Sequence, residues 1–457
     1  MGTEEVWGLV SAIWVVVATA LVLFMTPGVA FFYGGMTRAK ATLNMIMMSF
    51  AAIAVVGVVW VLWGYSMTAG SSVGGLLGNP LEMFGLSGLV ASDDLVSVAF
   101  GATFAIITVA LISGAIADRA KFSGWLFFSA LWVTLVYCPL AFMVWGGGLL
   151  SADGVIGGAF GEAIDFAGGT VVHINAGVAA LVLALLVGKR LGFGTDPAHR
   201  PHSVPLVMLG AAILWFGWFG FNAGAAGSVA EAGLIMVNTI AAPAAAMLGW
   251  LLVEKVRDGV PTSLGAASGV VAGLVAITPA CANVSPLGAV LIGLIAGVLS
   301  AFAVALKYRF GYDDSLDVVG VHLVSGLWGT IALGFLALPV DGEGGGLFYG
   351  GGAGQLVAQL AATVVAIVFS GVMTLLIGLL VHKTIGLRVD REAEIAGVDL
   401  TEHAETAWEF GGLGTSGSGF TLAPMSNESI AAEVVAEDKD HDESEPVPAR
   451  ATEEVGQ

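Results

Sequence analysis

Eleven stretches of this chain are apolar for about 17 residues or more, enough for an α-helix to cross the hydrocarbon core of a bilayer. They fall at roughly 6–32, 42–68, 96–117, 123–147, 167–187, 203–223, 230–253, 262–278, 284–306, 318–338 and 355–382. With 57% of all residues hydrophobic and only 11% charged, an ordinary soluble globule is excluded. The expected fold class is an all-α polytopic membrane protein. The acidic balance of −19 is uneven, because 17 of 35 acids and only 4 of 16 bases lie in 388–457, which leaves −13 there and −6 in the body. So few clustered bases offer no footprint for nucleic acid. Cys138 and Cys281 alone build neither a disulfide framework nor a zinc site.

The twelve bases of the body test the span count independently. They are Arg38 and Lys40, Arg119 and Lys121, Lys189, Arg190 and Arg200, Lys255 and Arg257, Lys307 and Arg309, and Lys383. Every second loop holds bases and each intervening loop holds none. Lys and Arg accumulate on the cytoplasmic side, so the alternation sets the N-terminus outside, the C-terminus inside and the number of spans odd. The opening Met-Gly-Thr-Glu-Glu has no positive region, and Leu21–Phe24 continue apolar without a small-residue cleavage site, so the first span reads as retained rather than as a signal peptide. Glycines four apart, at Gly265, Gly269 and Gly273 and again at Gly293 and Gly297, allow close helix packing in lipid. The reading divides the chain into a membrane domain (1–387), a cytoplasmic C-terminal segment (388–411) and an acidic, solvated tail (412–457).

His173 and His322 are the only histidines inside spans and away from base clusters. Asp165 lies eight residues before the first, in DFAGGTVVHINAG, and Asp314 eight before the second, in DSLDVVGVHLVSG; a glycine follows each histidine at four residues. The two spans run in opposite directions by the charge count. Matching segments of opposite orientation mark an inverted repeat of five plus five helices, with the pathway at the interface between halves and the eleventh span outside the symmetry. Intramembrane ionisable groups usually face a bundle interior or pathway. A histidine bonding a neighbouring helix is the bland alternative, weakened by the pairing. A metal site lacks further ligands at suitable spacing.

Eight residues of helix place His173 about 12 Å below the outer end of its span. No Asp, Glu, Lys or Arg stands in the middle of any span. A permanent cation would cross such a region at great cost, whereas a small neutral molecule would not. Two imidazoles can give, accept and relay a proton. The design suits a substrate that arrives charged, loses a proton and crosses neutral, and ammonium fits. Its recruitment needs an aromatic vestibule, for which Trp145, Phe104 and Phe221 are candidates beside the ordinary readings of belt and packing residues.

The stretches MVWGGGLL, DFAGGTVVHINAG, GWFGFNAG, TPAC and DVVGVHLVSG resemble the ammonium transporter family. The likeness runs from LVLFMTPGVAFFYGG to GLRVDREAEIAGVDLTEHAETAW, about residues 6–409. It implies that Phe104 and Phe221 are stacked gate rings, that Trp145 holds the cation in the outer vestibule, and that His173 and His322 are the pore pair. It implies that Asp165 stabilises the recruitment site indirectly and that Val29, Leu214 and Val318 line a hydrophobic inner pore. It further implies a homotrimer with one pore per subunit, residence in the cell membrane, no cofactor, and a regulatory segment at 388–409 that can meet trimeric nitrogen-sensing proteins of the PII type. One departure stands out: where relatives often carry Ser after FNAG, this chain has Ala225, and Ser228 is a doubtful substitute. Weaker recruitment is the expectation. An ammonium sensor with little flux and a passive channel for ammonia or carbon dioxide, as in the related Rh branch, are the alternatives. The sequence carries no output domain after the last span and no phosphate-binding, HExxH or nucleophile motif, which disfavours a sensor and an enzyme.

Overall fold

A computed structural model describes residues 3–193, 200–340 and 344–408 of the chain. The acidic tail expected at 412–457 lies outside the described residues. Among the described residues, ten helices are long and apolar enough to cross a membrane, and a shorter apolar helix, Ser263–Ile277, makes an eleventh span. In chain order the spans are Gly8–Met36, Ala39–Ala69, Leu95–Ile116, Phe122–Trp145, Gly169–Val187, Val204–Ala223, Val229–Arg257, Ser263–Ile277, Pro286–Phe310, Val319–Leu336 and Gly354–Thr384, numbered here 1 to 11. Each agrees with an apolar stretch of the sequence to within a few residues.

Lipid tails give apolar helices no hydrophobic reason to associate, so close packing must do it. Glycine supplies the space. A Cβ at Gly293 or Gly297 of span 9 would come within 2.0 Å of the Ala242 or Ala246 carbonyl of span 7, and Gly269 and Gly273 of span 8 abut Met247 and Pro243 of that same span. Spans 1 and 6 cross as closely, with Gly210 against the Phe32 backbone and Gly217 against Met25.

The inverted repeat is visible in local detail. Spans 5 and 10 each begin with a wide, π-helical turn, over Gly169–Ile174 and Val319–Leu323, and each turn carries its histidine. In each case a buried aspartate caps the turn. Asp165 accepts from the amides of Gly168, Gly169, Thr170 and Val171, and Asp314 accepts from those of Val318 and Val319. Three residues after each aspartate the backbone turns left-handed, at Gly168 (φ 109°) and at Asp317 (φ 65°). The glycines four residues past the histidines pack reciprocally: a Cβ at Gly177 would lie 2.6 Å from Leu323, and one at Gly326 would lie 3.1 Å from the His173 Cβ.

The end of the body that holds the bases is tied by charge. Arg190 makes a two-pronged pair with Asp313 and reaches Asp118 at 2.8 Å. Burial alone would lift Asp313, but the Arg190 hydrogen bonds and the Arg119 charge outweigh it and hold the carboxyl below its ordinary range. Residues 387–403 lie against this end. The Leu387 carbonyl accepts from Lys121, Asp399 accepts from the amides of Leu43 and Asn44, and Glu402 accepts from that of Phe122. The last two carboxylates thus serve orphan amides at the starts of spans 2 and 4.

Candidate functional site

A row of rings runs from one end of the body to its middle. Trp145 closes span 4, with its side chain 43% exposed and its Nε1–H donated to the Asp165 carbonyl at 2.8 Å. Its ring meets Phe104 of span 3 edge-on at 6.3 Å, and Phe104 stacks on Phe221 of span 6 at 4.2 Å between centroids and 16° between planes. Both phenylalanines are buried, so two rings lie across the row below the tryptophan. Phe221 sits 6.2 Å from the His173 ring, and His173 lies 5.4 Å from His322 with the planes 19° apart.

The two Nδ1 atoms are 3.3 Å apart. Two imidazoles joined there can share only one proton. One neutral ring therefore carries its proton on Nδ1 and the other on Nε2, and the pair offers one donor and one acceptor through its outer nitrogens. The His173 Nε2 is buried and has no hydrogen-bond partner among the described residues.

Beside the pair runs a cavity lined by Val29, Tyr33, Leu214, Trp218, Phe221 and Val271, among others. It leaves about 10 Å³ for the centre of a water-sized molecule, close to what a single water requires. The Tyr33 hydroxyl is donated to the Leu111 carbonyl and the Trp218 Nε1–H to Thr278, so both donors are spent. The imidazoles supply the remaining polar edge. Such a passage has room for one small molecule, and apart from the imidazole nitrogens and the ring faces its lining offers little in place of a cation's water.

Most residues singled out in the sequence come together here. Trp145, Phe104, Phe221, His173 and His322 form the row, Asp165 supports it from behind, and Val29 and Leu214 line the cavity. Val318 is not among the residues lining the cavity, but it packs beside one that is: a Cβ at Gly114 would meet Val318 at 2.8 Å and the Tyr33 ring at 2.7 Å. Ala225 is exposed beyond the end of span 6. Ser228 caps the helix that begins span 7 by accepting from the Glu231 amide, so its oxygen is already engaged. Trp218 was not singled out, yet it stacks on His173 at 5.5 Å and 17°. The signal was present in GWFGFNAG, where Trp218 and Phe221 are three apart and share a helix face.

Residues 13–408 match the profile described as Ammonium Transporter Family. This chain belongs to the ammonium transporter family. An ammonium transporter of Mycobacterium tuberculosis is 54% identical over 429 residues, covering 87% of this chain and 90% of the relative. Among solved structures, one titled Sensor Amt Protein matches with a TM-score of 0.80 at 29% identity, over 88% of this chain and all of the other. The Mep2 structure of Saccharomyces cerevisiae matches at 0.76 and 33% identity, over 84% and 88%. The fold is that of the family, and the family is one of transporters rather than enzymes.

Proposed function

We propose that this chain moves ammonium nitrogen across the cell membrane by recruiting the cation, stripping a proton from it and passing the neutral molecule beside the histidine pair. The observation that carries the reading is the unbroken row from the exposed Trp145 ring through the stacked Phe104 and Phe221 to His173 and His322, ending beside a cavity one small molecule wide. A cation over the Trp145 face gains about 0.5–2 kcal/mol where water is partly excluded. Its charge cannot follow through the two-ring gate into an apolar passage without a cost of several kcal/mol. Deprotonation at the gate removes that cost, and the shared Nδ1 contact gives the released proton a relay beside the ammonia.

By the distribution of bases, the Trp145 end faces outward, the C-terminal segment faces the cytoplasm, and the N-terminus is outside. The apolar side chains left exposed along spans 1, 7 and 11, such as Ile13, Leu248 and Leu376, suit lipid and the subunit contacts of a homotrimer. The segment from Leu387 to His403, laid across three basic loops, is a suitable receiver for a PII-type partner.

An ammonium pulse applied to proteoliposomes, with membrane current and internal pH recorded together, tests the reading. A transient inward positive current means that the charge crosses, with the proton travelling with or beside the ammonia. Internal alkalinisation without current means that neutral ammonia alone passes. No response above protein-free liposomes overturns transport and leaves a binding sensor on the same scaffold.

A further inference from the structure

The two broken spans are capped alike, but the side chains that reach back to their caps differ. At one end Trp145, in the last turn of span 4, donates Nε1–H to the Asp165 carbonyl at 2.8 Å. At the other Lys307, in the last turn of span 9, donates from Nζ to the Asp314 carbonyl at 2.9 Å. Since Asp165 and Asp314 correspond in the repeat, Trp145 and Lys307 hold corresponding places. The lysine Nζ also meets the Asp317 carboxylate at 2.7 Å and stands 5.4 Å from the centroid of the Tyr308 ring. A carbonyl oxygen, a carboxylate oxygen and an aromatic ring are the groups that hold an ammonium ion. Here they hold one that is part of the chain.

We propose that Lys307 keeps a tethered ammonium group in the inner counterpart of the outer recruitment position, so that free ammonium is captured well from the Trp145 side and poorly from the base-rich side. The inference rests on Trp145 being the recruiting residue. The place is close to the pathway: the Asp314 carboxylate caps Val318 and Val319, Val318 and the Tyr33 ring both crowd Gly114, and Tyr33 lines the cavity beside the histidines. Lys307 itself is 5% exposed, so its ion is held rather than trailing in solvent. The neighbouring Arg190 and Arg119 are turned to Asp313 and do not compete for Asp317. Replacing Lys307 with Met keeps the unbranched stem and removes the ion. It leaves the Asp314 carbonyl, the Asp317 carboxylate and the Tyr308 ring to a free ammonium ion.

The test is initial uptake of radiolabelled methylammonium by right-side-out and inside-out membrane vesicles carrying the full chain. Lys307→Met is expected to lower the half-saturating concentration at the inner face about two- to thirtyfold, the range of one cation–π contact, and to leave the outer face unchanged. Lys307→Arg keeps the wild-type asymmetry, and Lys307→Met with Asp317→Asn loses the gain. Lys307→Gln retains an N–H for the Asp314 carbonyl and so guards against misfolding; it frees only the Asp317 carboxylate and the Tyr308 ring, and a smaller shift of the same one-sided kind is expected of it. An inner value within twofold of wild type in both neutral variants, or equal shifts at both faces, overturns the proposal and marks Lys307 as a structural staple. Trp145→Leu separates the underlying reading: it should raise the outer value alone, and if it does not, outer recruitment fails and this inference with it. Wild-type vesicles that take up label from neither face overturn transport itself.

Discussion

The start of span 5 and the start of span 10 are copies of one device set in opposite surroundings. At Asp165 the carboxylate meets four backbone amides, a tryptophan stands beside it, and the ring of that tryptophan is open to solvent. At Asp314 the carboxylate meets two amides, a lysine stands beside it, and Arg190, Asp313 and Asp118 are paired around it. Burial raises the Asp314 carboxyl to about 6, against a smaller opposing effect of Lys307. The comparison teaches that the repeat supplies the scaffold, two histidines brought to one place, while the halves differ in what stands beside each cap. In the proposed reading, the aromatic ring at one mouth invites a cation. Ion pairs at the other close the backbone down and leave little for one.

The largest effect should come from the caps. Asp165→Ala would leave four buried N–H groups without their acceptor, each costing about 1–3 kcal/mol, so uptake should vanish and the unfolding temperature in detergent should fall steeply. Asp314→Ala orphans two amides and should lose about half as much stability. Equal losses would break the comparison, because the two caps would then be doing the same work.

The glycines facing the histidine turns give the next difference. A Cβ at Gly177 enters the Leu323 backbone at 2.6 Å, whereas one at Gly326 meets the His173 Cβ at 3.1 Å. Gly177→Ala should cost about 1–3 kcal/mol by overpacking and Gly326→Ala less, measured by thermal unfolding. The reverse order would show that the histidine side is the stiffer wall.

The smallest effect belongs to the recruitment mouth. Ala225→Ser adds a hydroxyl acceptor just beyond span 6, where the nearby Ser228 oxygen already accepts from the Glu231 amide. About 0.5–1.5 kcal/mol is at stake, so half-saturating ammonium should fall about two- to tenfold. An unchanged value would sink the idea that the missing hydroxyl weakens capture.

Much of this was legible in the sequence because its signals were periodic. Apolar length gave the spans, the alternation of bases gave their parity, and the matched spacing of Asp165 with His173 and Asp314 with His322 located the meeting point of the halves. What escaped needed side-chain direction. The resemblance implies an indirect role for Asp165 at the recruitment site, and what the sequence does not show is the means: the carboxylate accepts from the amides of its own turn, and the carbonyl accepts from Trp145. Trp218 was lost among many tryptophans until its stacking on His173 appeared. Lys307 was counted as one base of a loop, and only its bonds to Asp314 and Asp317 separate it from Arg309. Val318 follows the family's motif position but packs beside Gly114, where the other half sets Gly169 against Pro279. The large residue and the small one have changed sides.

The central claim is that the histidine pair lets ammonia pass while a bare cation cannot. His173→Ala in proteoliposomes, assayed for methylammonium uptake and for potassium flux under the same gradient, tests it most directly. The account predicts slower methylammonium uptake together with a new potassium flux. Full uptake with full exclusion of potassium would contradict it.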